Sequence, residues 1–453
     1  MLKRAFIARA LAFFAVASLT GCATPRTPVW PSLRDRPSKT PVVLIPGITG
    51  TQLRERDTQR VVWGDGWSVF FPWDGGHALA RTLDESGTEK KTIEAFAIIR
   101  EVRMFRFWKV AEAYGAVERL MLKNGYKVGD LRNPKPDDTF FFFLYDWRQD
   151  NVLAAQELAR QLERLRAARG EQRLKVALIC QSNAGNIARY FAKYGVASLD
   201  EAESGAATRP PNVQIEKIIL VGTANGGSLR TLHEMNRGRA YFPLLARYWR
   251  PETLFTFTSL YQDLPYYRRN WFFDADGNVV DVNLYDADNW KKHGWSIFGE
   301  DAQKRLRDGW HEELFGDSEQ QMAFLKESLQ NAQRFHRLLE KDVPGFGTPR
   351  YYLLQNLYHP TFERALLTQR DGKWKTLFLT DAEVRRDPYL LSLAAAPGDV
   401  HASHGSQFWL SPQEKAAVAR PPVYLNEGHF EIILSPATQR WLLEFLAEET
   451  PTK

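Results

Sequence analysis

The chain has 453 residues, 44% hydrophobic and 25% charged, ordinary values for a globular protein able to bury a sizeable core. That length fits about three average domains, or one large α/β domain carrying insertions. The formal net charge of +6 falls to +3 if the first 21 residues, with three basic and no acidic side chains, are removed; so near neutrality there is no case for nucleic-acid binding.

The N-terminus reads as an address label. Lys3, Arg4 and Arg9 precede an apolar run, Ala10 to Leu19, too short to span a bilayer comfortably. The run ends in L-T-G-C (Leu19 to Cys22), which resembles the lipobox of bacterial lipoproteins, where the Cys thiol receives diacylglycerol. Residues 1–21 are therefore expected to be a lipoprotein signal peptide and Cys22 a lipidation site. Ala23 after the Cys suggests outer-membrane sorting in a Gram-negative cell, a lipid-anchored position on the periplasmic face. A secretory signal with an incidental Cys, or an uncleaved anchor, is the alternative. With Cys22 lipidated, Cys180 is the one remaining thiol, so no intramolecular disulfide is possible. Residues 22–40, rich in Pro, Ser, Thr and Arg, read as a tether.

From residue 41 the pattern alternates. Pro41–Pro46 (P-V-V-L-I-P) is a short continuous apolar run, as expected of a strand buried on both faces. Thr139–Trp147 (T-F-F-F-F-L-Y-D-W) is a second such strand, and Asn151–Arg169 has helical spacing. Leu174–Ile179 predicts a third strand, Ala184–Tyr194 a helix, and Ile215–Gly222 a fourth strand. This alternation predicts a mostly parallel central sheet with helices on both faces, an α/β fold. The rhythm is lost over about 226–345, which is rich in aromatics and reads as an inserted cap. It resumes at Arg350–Gln355, passes a hairpin turning at Asp371-Gly372, and ends with Pro422–Leu425 and a helix over Pro436–Ala447. D-A-D-G-N (Asp274 to Asn278) has the Gly at the wrong offset for a calcium loop and lacks the terminal Glu. Asp276-Gly277 fits a hairpin turn instead.

Ser182, in L-I-C-Q-S-N-A-G-N (Leu178 to Asn186), follows a predicted strand directly and precedes a helix. In that context G-x-S-x-G forms a nucleophile elbow, a tight turn with little room for side chains between the strand and helix backbones. Here Cys180 and Ala184 replace the two glycines, both small, and Gly185 lies one residue on. A helix-capping serine is the competing reading. Cys180 is a rival nucleophile, discounted because it lies on the strand itself, where thiols are packed and inert.

The sequence resembles the lecithin:cholesterol acyltransferase-like branch of the α/β-hydrolases, over about 40–445. Pro41–Leu53 (P-V-V-L-I-P-G-I-T-G-T-Q-L) is similar to that family's opening strand and oxyanion loop. Y-D-W-R (Tyr145 to Arg148), V-G-T-A-N-G-G-S (Val221 to Ser228), and the pair P-G-D-V (Pro397 to Val400) and N-E-G-H (Asn426 to His429) follow in the family's order. The resemblance implies an α/β-hydrolase fold over 41–453, with a lid-like insertion about 54–100 and the cap about 226–345. It also implies a Ser-His-Asp triad, since a serine hydroxyl needs a base, and that base an orienting carboxylate. His429, after a short strand and before the last helix, is the expected base; His401 and His404 are rivals. Asp399 is the expected acid, although P-G-D-V lacks the second Gly of the family's G-D-G; Asp387 and Asp381 are the alternatives. The backbone N–H groups of Asn183 and Ile48 are the expected oxyanion donors.

The aromatic cluster Trp63, Trp67, Phe70, Phe71 and Trp73 occupies the stretch where relatives carry a mobile lid. It reads as a lid or lipid contact, or else as core packing beneath a loop. Relatives close that lid with a disulfide, which this chain cannot form. The expectation is thus a serine esterase or lipid acyltransferase acting on acyl esters of lipids, membrane-attached through its N-terminal lipid. No metal or cofactor is implied, and the oligomeric state is left open. The alternative is a non-catalytic lipid-binding envelope lipoprotein that retains the hydrolase fold.

Overall fold

The computed structural model describes residues 27–449, apart from 37–38, 71–73, 84–91, 105–107, 206–211, 240–248, 310–314, 345–346 and 348. The expected signal peptide, Cys22 and the first tether residues lie outside the described residues, as do Phe71 and Trp73.

Seven strands form the central sheet. In chain order the framework runs β1 (Val42–Ile45), α1 (Gly115–Lys123), β2 (Val128–Gly129), β3 (Phe140–Phe142), α2 (Asn151–Ala168), β4 (Leu174–Gln181) and α3 (Ala184–Tyr194). It continues with β5 (Val213–Val221), α4 (Leu229–Arg237), α5 (Ser318–Glu340), β6 (Arg350–Asn356), β7 (Val423–Leu425) and α6 (Pro436–Ala447). The spatial order is β7-β6-β5-β4-β1-β3-β2, and every pairing is parallel.

Strand periodicity divides the core into two layers. Val43, Ile45, Leu178, Cys180, Leu220 and Leu353 enter one apolar cluster, while Val42, Leu44, Ile179, Val221 and Leu354 enter the other. Such alternation follows from successive side chains pointing to opposite faces. Leu158, Leu162 and Leu165 of α2 cover the first face, together with α3 and α5. Val117, Leu120 and Met121 of α1, with Leu442 and Phe445 of α6, cover the second. Both faces are covered, which is why the buried stretches Val42–Ile45, Phe140–Phe142, Val176–Cys180 and Ile218–Val221 read as unbroken apolar runs.

Both expected hairpins form. Asp371 (φ 50°) and Gly372 (φ 73°) join Ala365–Arg370 to Lys373–Leu377, the two left-handed residues of a type I′ turn. Phe272–Phe273 pairs with Val279–Val280 around Gly277. Phe272–Phe273 also pairs in parallel with Ala365–Leu366, making one four-stranded sheet from segments on either side of β6. The excursion between β6 and β7 therefore contributes to the layer over the sheet, as the segment before β6 does. In the region between β1 and α1, Thr51–Glu55, Val61–Trp63 and Ile93–Ile98 form a three-stranded sheet.

Candidate active site

Parallel strands deliver their C-terminal ends to one edge of the sheet, where α/β proteins place their sites. Here β1 and β4 end in register, Ile45 beside Cys180, and β5 ends with Val221 beside Gln181. Ser182 is the next residue. Its φ of +57° is left-handed backbone, uncommon for a residue with a Cβ and the strained turn that an elbow requires. The competing reading of Ser182 as a helix cap is not what the hydroxyl does. Asn183 is the N-cap of α3, and Ser182 Oγ lies 2.8 Å from His429 Nε2.

The close approach demanded at such a turn falls on Gly185. A Cβ there would sit 2.3 Å from Thr223 Cγ2 and 2.9 Å from Leu220 Cδ2, so α3 crosses β5 with no room for a methyl group. That accounts for the altered flanks: Cys180 is fully buried in the core behind the turn. Burial pushes its thiol well above the ordinary value, so it stays protonated.

His429 comes from the loop after β7, and its Nδ1 lies 2.7 Å from Asp399 Oδ2. Asp399 is fully buried. Its Oδ1 accepts from the backbone N–H groups of His401 (2.9 Å) and Ala402 (2.7 Å), and its own carbonyl accepts from His429 N–H at 3.0 Å. Burial opposes ionisation, but the adjoining His429 ring and these donors outweigh it and hold the carboxyl below its usual range. The missing second Gly of the loop is replaced by Val400 at φ +80°, a strained conformation for a β-branched residue. Its N–H donates to Thr361 Oγ1 at 2.8 Å, which helps hold the loop. The alternative acids are engaged elsewhere: Asp387 caps helix Pro388–Ala394, and Asp381 accepts from Phe378 N–H.

The loop after β1 closes over the serine. At Gly47 a Cβ would come 2.9 Å from Ser182 Cβ, so glycine is required for the approach. Neither Ile48 N–H nor Asn183 N–H donates to a protein acceptor among the described residues. The Asn183 side chain is held by a reciprocal pair of hydrogen bonds with Asn151 at the start of α2 (3.0 and 2.7 Å). The Y-D-W-R segment fixes the same loop: Tyr145 hydroxyl donates to Pro46 carbonyl at 2.9 Å, and Trp147 Nε1 to Thr51 carbonyl at 3.1 Å. Arg148, paired with Asp146, reaches Leu79 carbonyl at 2.8 Å.

Two residues that the sequence did not single out, Tyr114 and Gln181, and one weighed there in another role, His401, also join the site. Tyr114 accepts from Gly47 N–H at 3.0 Å and donates to Gln181 Oε1. Gln181 Nε2 in turn reaches His429 carbonyl at 3.3 Å, so one chain of bonds links the loop, the turn and the histidine. His401, weighed only as a rival base, stacks on His429 with ring centroids 4.5 Å apart. Only its position two residues after Asp399 hints at this, and Tyr114 carries no sequence signal at all. His404 lies parallel to the Phe408 ring and tilted against Tyr424, with centroids 6.4 and 6.0 Å away.

A cavity of about 260 Å³ opens at Ser182 and His429, its exposed wall mostly apolar. Trp63 lines it but is only 2% exposed. Its Nε1 donates to Thr49 carbonyl (2.9 Å), and its ring packs edge-on against Trp147 and Trp249. A surface lipid contact by Trp63 is corrected to a core position under the cavity, because the indole is enclosed by other rings. Trp67 and Phe70 lie on helix Gly66–Phe70, with side chains outside the description.

A serine hydroxyl hydrogen-bonded to an imidazole that is itself held by a buried carboxylate is chemically suited to general-base-assisted attack on an acyl carbonyl. No family model matches the sequence, and no curated protein matches it. Among solved structures the chain is similar to one described as the crystal structure of the Tle4-Tli4 complex, at 14% identity and a TM-score of 0.58, covering 91% of this chain and 98% of that one. Bacillus licheniformis lipase BlEst2 in mature form aligns over 91% of this chain and 93% of that chain, at 12% identity and a TM-score of 0.26. The topology, together with the first of these likenesses, gives the chain the α/β-hydrolase fold.

Proposed function

We propose that the protein is a serine esterase or lipid acyltransferase of the lecithin:cholesterol acyltransferase-like kind. The observation that carries the reading is the unbroken chain from Ser182 Oγ through His429 to Asp399, at 2.8 and 2.7 Å, opening into a largely apolar cavity. In this mechanism Ser182 attacks the ester carbonyl while His429 takes its proton. Asp399 keeps the imidazole in the tautomer that presents a bare Nε2 to the hydroxyl, and steadies the imidazolium that forms. The oxyanion is met by the N–H groups of Asn183 and Ile48, each such donor worth about 10²–10³ in rate. His429 then protonates the departing alcohol, and water or a second alcohol takes the acyl group from Ser182. An ester substrate with a fatty acyl chain suits the apolar cavity wall.

The remaining expectations belong to the same proposal. Residues 1–21 are removed, Cys22 is lipidated, and the enzyme works at an envelope membrane on acyl esters held there. Trp67, Phe70, Phe71 and Trp73 contact that lipid as part of a lid. Incubation with an envelope lipid extract, followed by lipid mass spectrometry, tests the activity. Acyl esters should disappear with wild type and persist with Ser182→Ala; an unchanged extract in both would sink the proposal. Incorporation of labelled palmitate, lost in Cys22→Ala, tests the anchor.

A further inference from the structure

The edge of the His429 ring is engaged by Ser182 at Nε2 and by Asp399 at Nδ1. What covers its face is a second imidazole. His401 lies against it with ring centroids 4.5 Å apart and an interplanar angle of 29°. Three bonds place that second ring. The His401 N–H donates to Asp399 Oδ1 at 2.9 Å, the His401 carbonyl accepts from the Ser228 hydroxyl, and His401 Nε2 lies 3.2 Å from Asp263 Oδ2. Asp263 comes from the cap, and its Oδ2 also accepts from Thr231 Oγ1 of α4 at 2.6 Å.

A carboxylate can only accept, so His401 Nε2 carries the ring proton and Nδ1 is bare. Burial, and then the neighbouring His429, push His401 below the ordinary histidine value, so the ring is neutral. That matters for the reaction, because attack by Ser182 turns His429 into an imidazolium. A second cation stacked on that ring would oppose the step. A neutral imidazole backed by a carboxylate favours it, the more so in a buried site. The other titratable groups around the two rings are Glu234 with Arg230 and Arg239, and, on the same cavity wall, Glu112 and Tyr114. Glu234 is paired with both arginines, at 2.9 and 3.5 Å. Asp399 and Asp263 are therefore the carboxylates directed at the imidazoles, the first bonded to His429 itself and the second reaching it through His401.

Resting on the triad reading above, we propose that His401 is a positioning residue for His429, and that with Asp263 it forms a second histidine–aspartate pair laid over the first. The stacked ring stops the catalytic imidazole from turning out of line with Ser182 and keeps water off that face. Asp263, through its bond to His401, stabilises the imidazolium that forms as the serine proton leaves. No proton moves between the two rings. The serine proton stays on His429 Nε2 until it is returned to the departing alcohol. Because the pair acts through His429, its effect falls on kcat rather than KM.

The test follows hydrolysis of p-nitrophenyl butyrate against pH in wild type, His401→Ala, His401→Phe and Asp263→Asn, with fluorophosphonate labelling of Ser182 alongside. His401→Ala should lower kcat about 10- to 100-fold at little-changed KM, the loss expected when a reacting group is held less well. His401→Phe returns a ring to the face of His429 and should recover part of that loss. Asp263→Asn keeps an acceptor for His401 and Thr231 but removes the charge. Its kcat should fall, and the acid limb of kcat/KM should move to lower pH, because an imidazole with one negative charge fewer nearby takes up its proton less readily. A residue that merely packs would leave that limb in place. Circular dichroism checks each variant, and His401→Phe and Asp263→Asn decide the matter if the alanine variant does not fold. Wild-type kcat in both His401 variants overturns the proposal, as does a raised KM at unchanged kcat, or a His401→Phe enzyme no faster than His401→Ala. A folded Asp263→Asn enzyme that is slowed with its acid limb unmoved also overturns it. All of these leave Ser182 labelled in wild type and the triad reading standing. Folded wild type with neither turnover nor label refutes the triad reading, and the role of His401 with it.

Discussion

Gly185→Ala is the sharpest structural probe of the turn at Ser182. The added Cβ would lie 2.3 Å from Thr223 Cγ2, 2.8 Å from Thr223 Oγ1 and 2.9 Å from Leu220 Cδ2, whereas carbon atoms rest about 3.5–4.0 Å apart. More than 1 Å must therefore be found. Thr223 is buried at 2% exposure and cannot simply swing into solvent. The strain falls on the α3–β5 contact, and overpacking of this kind costs about 1–3 kcal/mol. Because α3 begins at the residue after Asn183, a helix shift also moves the expected oxyanion donor. A misplacement of 1 Å near the chemistry can cost about 10² in rate. Chemical denaturation and esterase kinetics on one preparation read both effects. Thr223→Ser removes the nearest methyl and, combined with Gly185→Ala, should recover part of the loss, a coupling between touching residues. Wild-type stability and rate in Gly185→Ala would refute the claim that this glycine takes over the role of the altered motif.

Further consequences can be checked separately. Asp399→Asn should leave the fold in place but lower kcat by about 10⁴, since the imidazole loses the carboxylate that fixes its tautomer; steady-state kinetics with circular dichroism separates the two. Cys180, buried and with its thiol pushed upward, should resist iodoacetamide in the native protein and react after unfolding. Glu414, fully buried between Arg189 at 2.8 Å and Lys193 at 3.4 Å, is held at about 2 despite its burial. Between that value and the unfolded value near 4.5 the unfolded chain binds more protons, so stability falls as pH drops through this window. Urea denaturation at pH 6 and pH 3 should show a loss of a few kcal/mol in wild type and a smaller pH dependence in Glu414→Gln, which starts less stable.

The sequence carried the framework because the central strands are buried on both faces. Val42–Ile45 is an unbroken apolar run, as is Val176–Cys180 within Leu174–Gln181, and α3 and α6 begin and end where their periodicity does. Ser182, Asp399 and His429 were legible because each sits at a strand end or in a short loop motif. The cap sheet was not, since Phe272–Phe273 pairs with Ala365–Leu366 across some ninety residues, and two-residue strands have no period to read. Trp63 misled for a similar reason: a tryptophan-rich stretch has one composition whether its rings face lipid or, as with Trp63, one another. His401 was weighed only as a rival base, because its stacking on His429 is set by the fold of the Asp399 loop. Val400 shows the reverse case. The loop keeps its left-handed turn at φ +80° without the glycine that would make it comfortable, so a departure from the motif left the geometry intact.

The central claim is that Ser182 is an activated nucleophile, and active-site labelling tests it most directly. A fluorophosphonate probe reacted with folded wild type and mapped by mass spectrometry should modify Ser182, with labelling abolished in Ser182→Ala and His429→Ala and retained in Cys180→Ala. A folded wild-type protein that takes up no label, or one labelled at Cys180, would contradict the account.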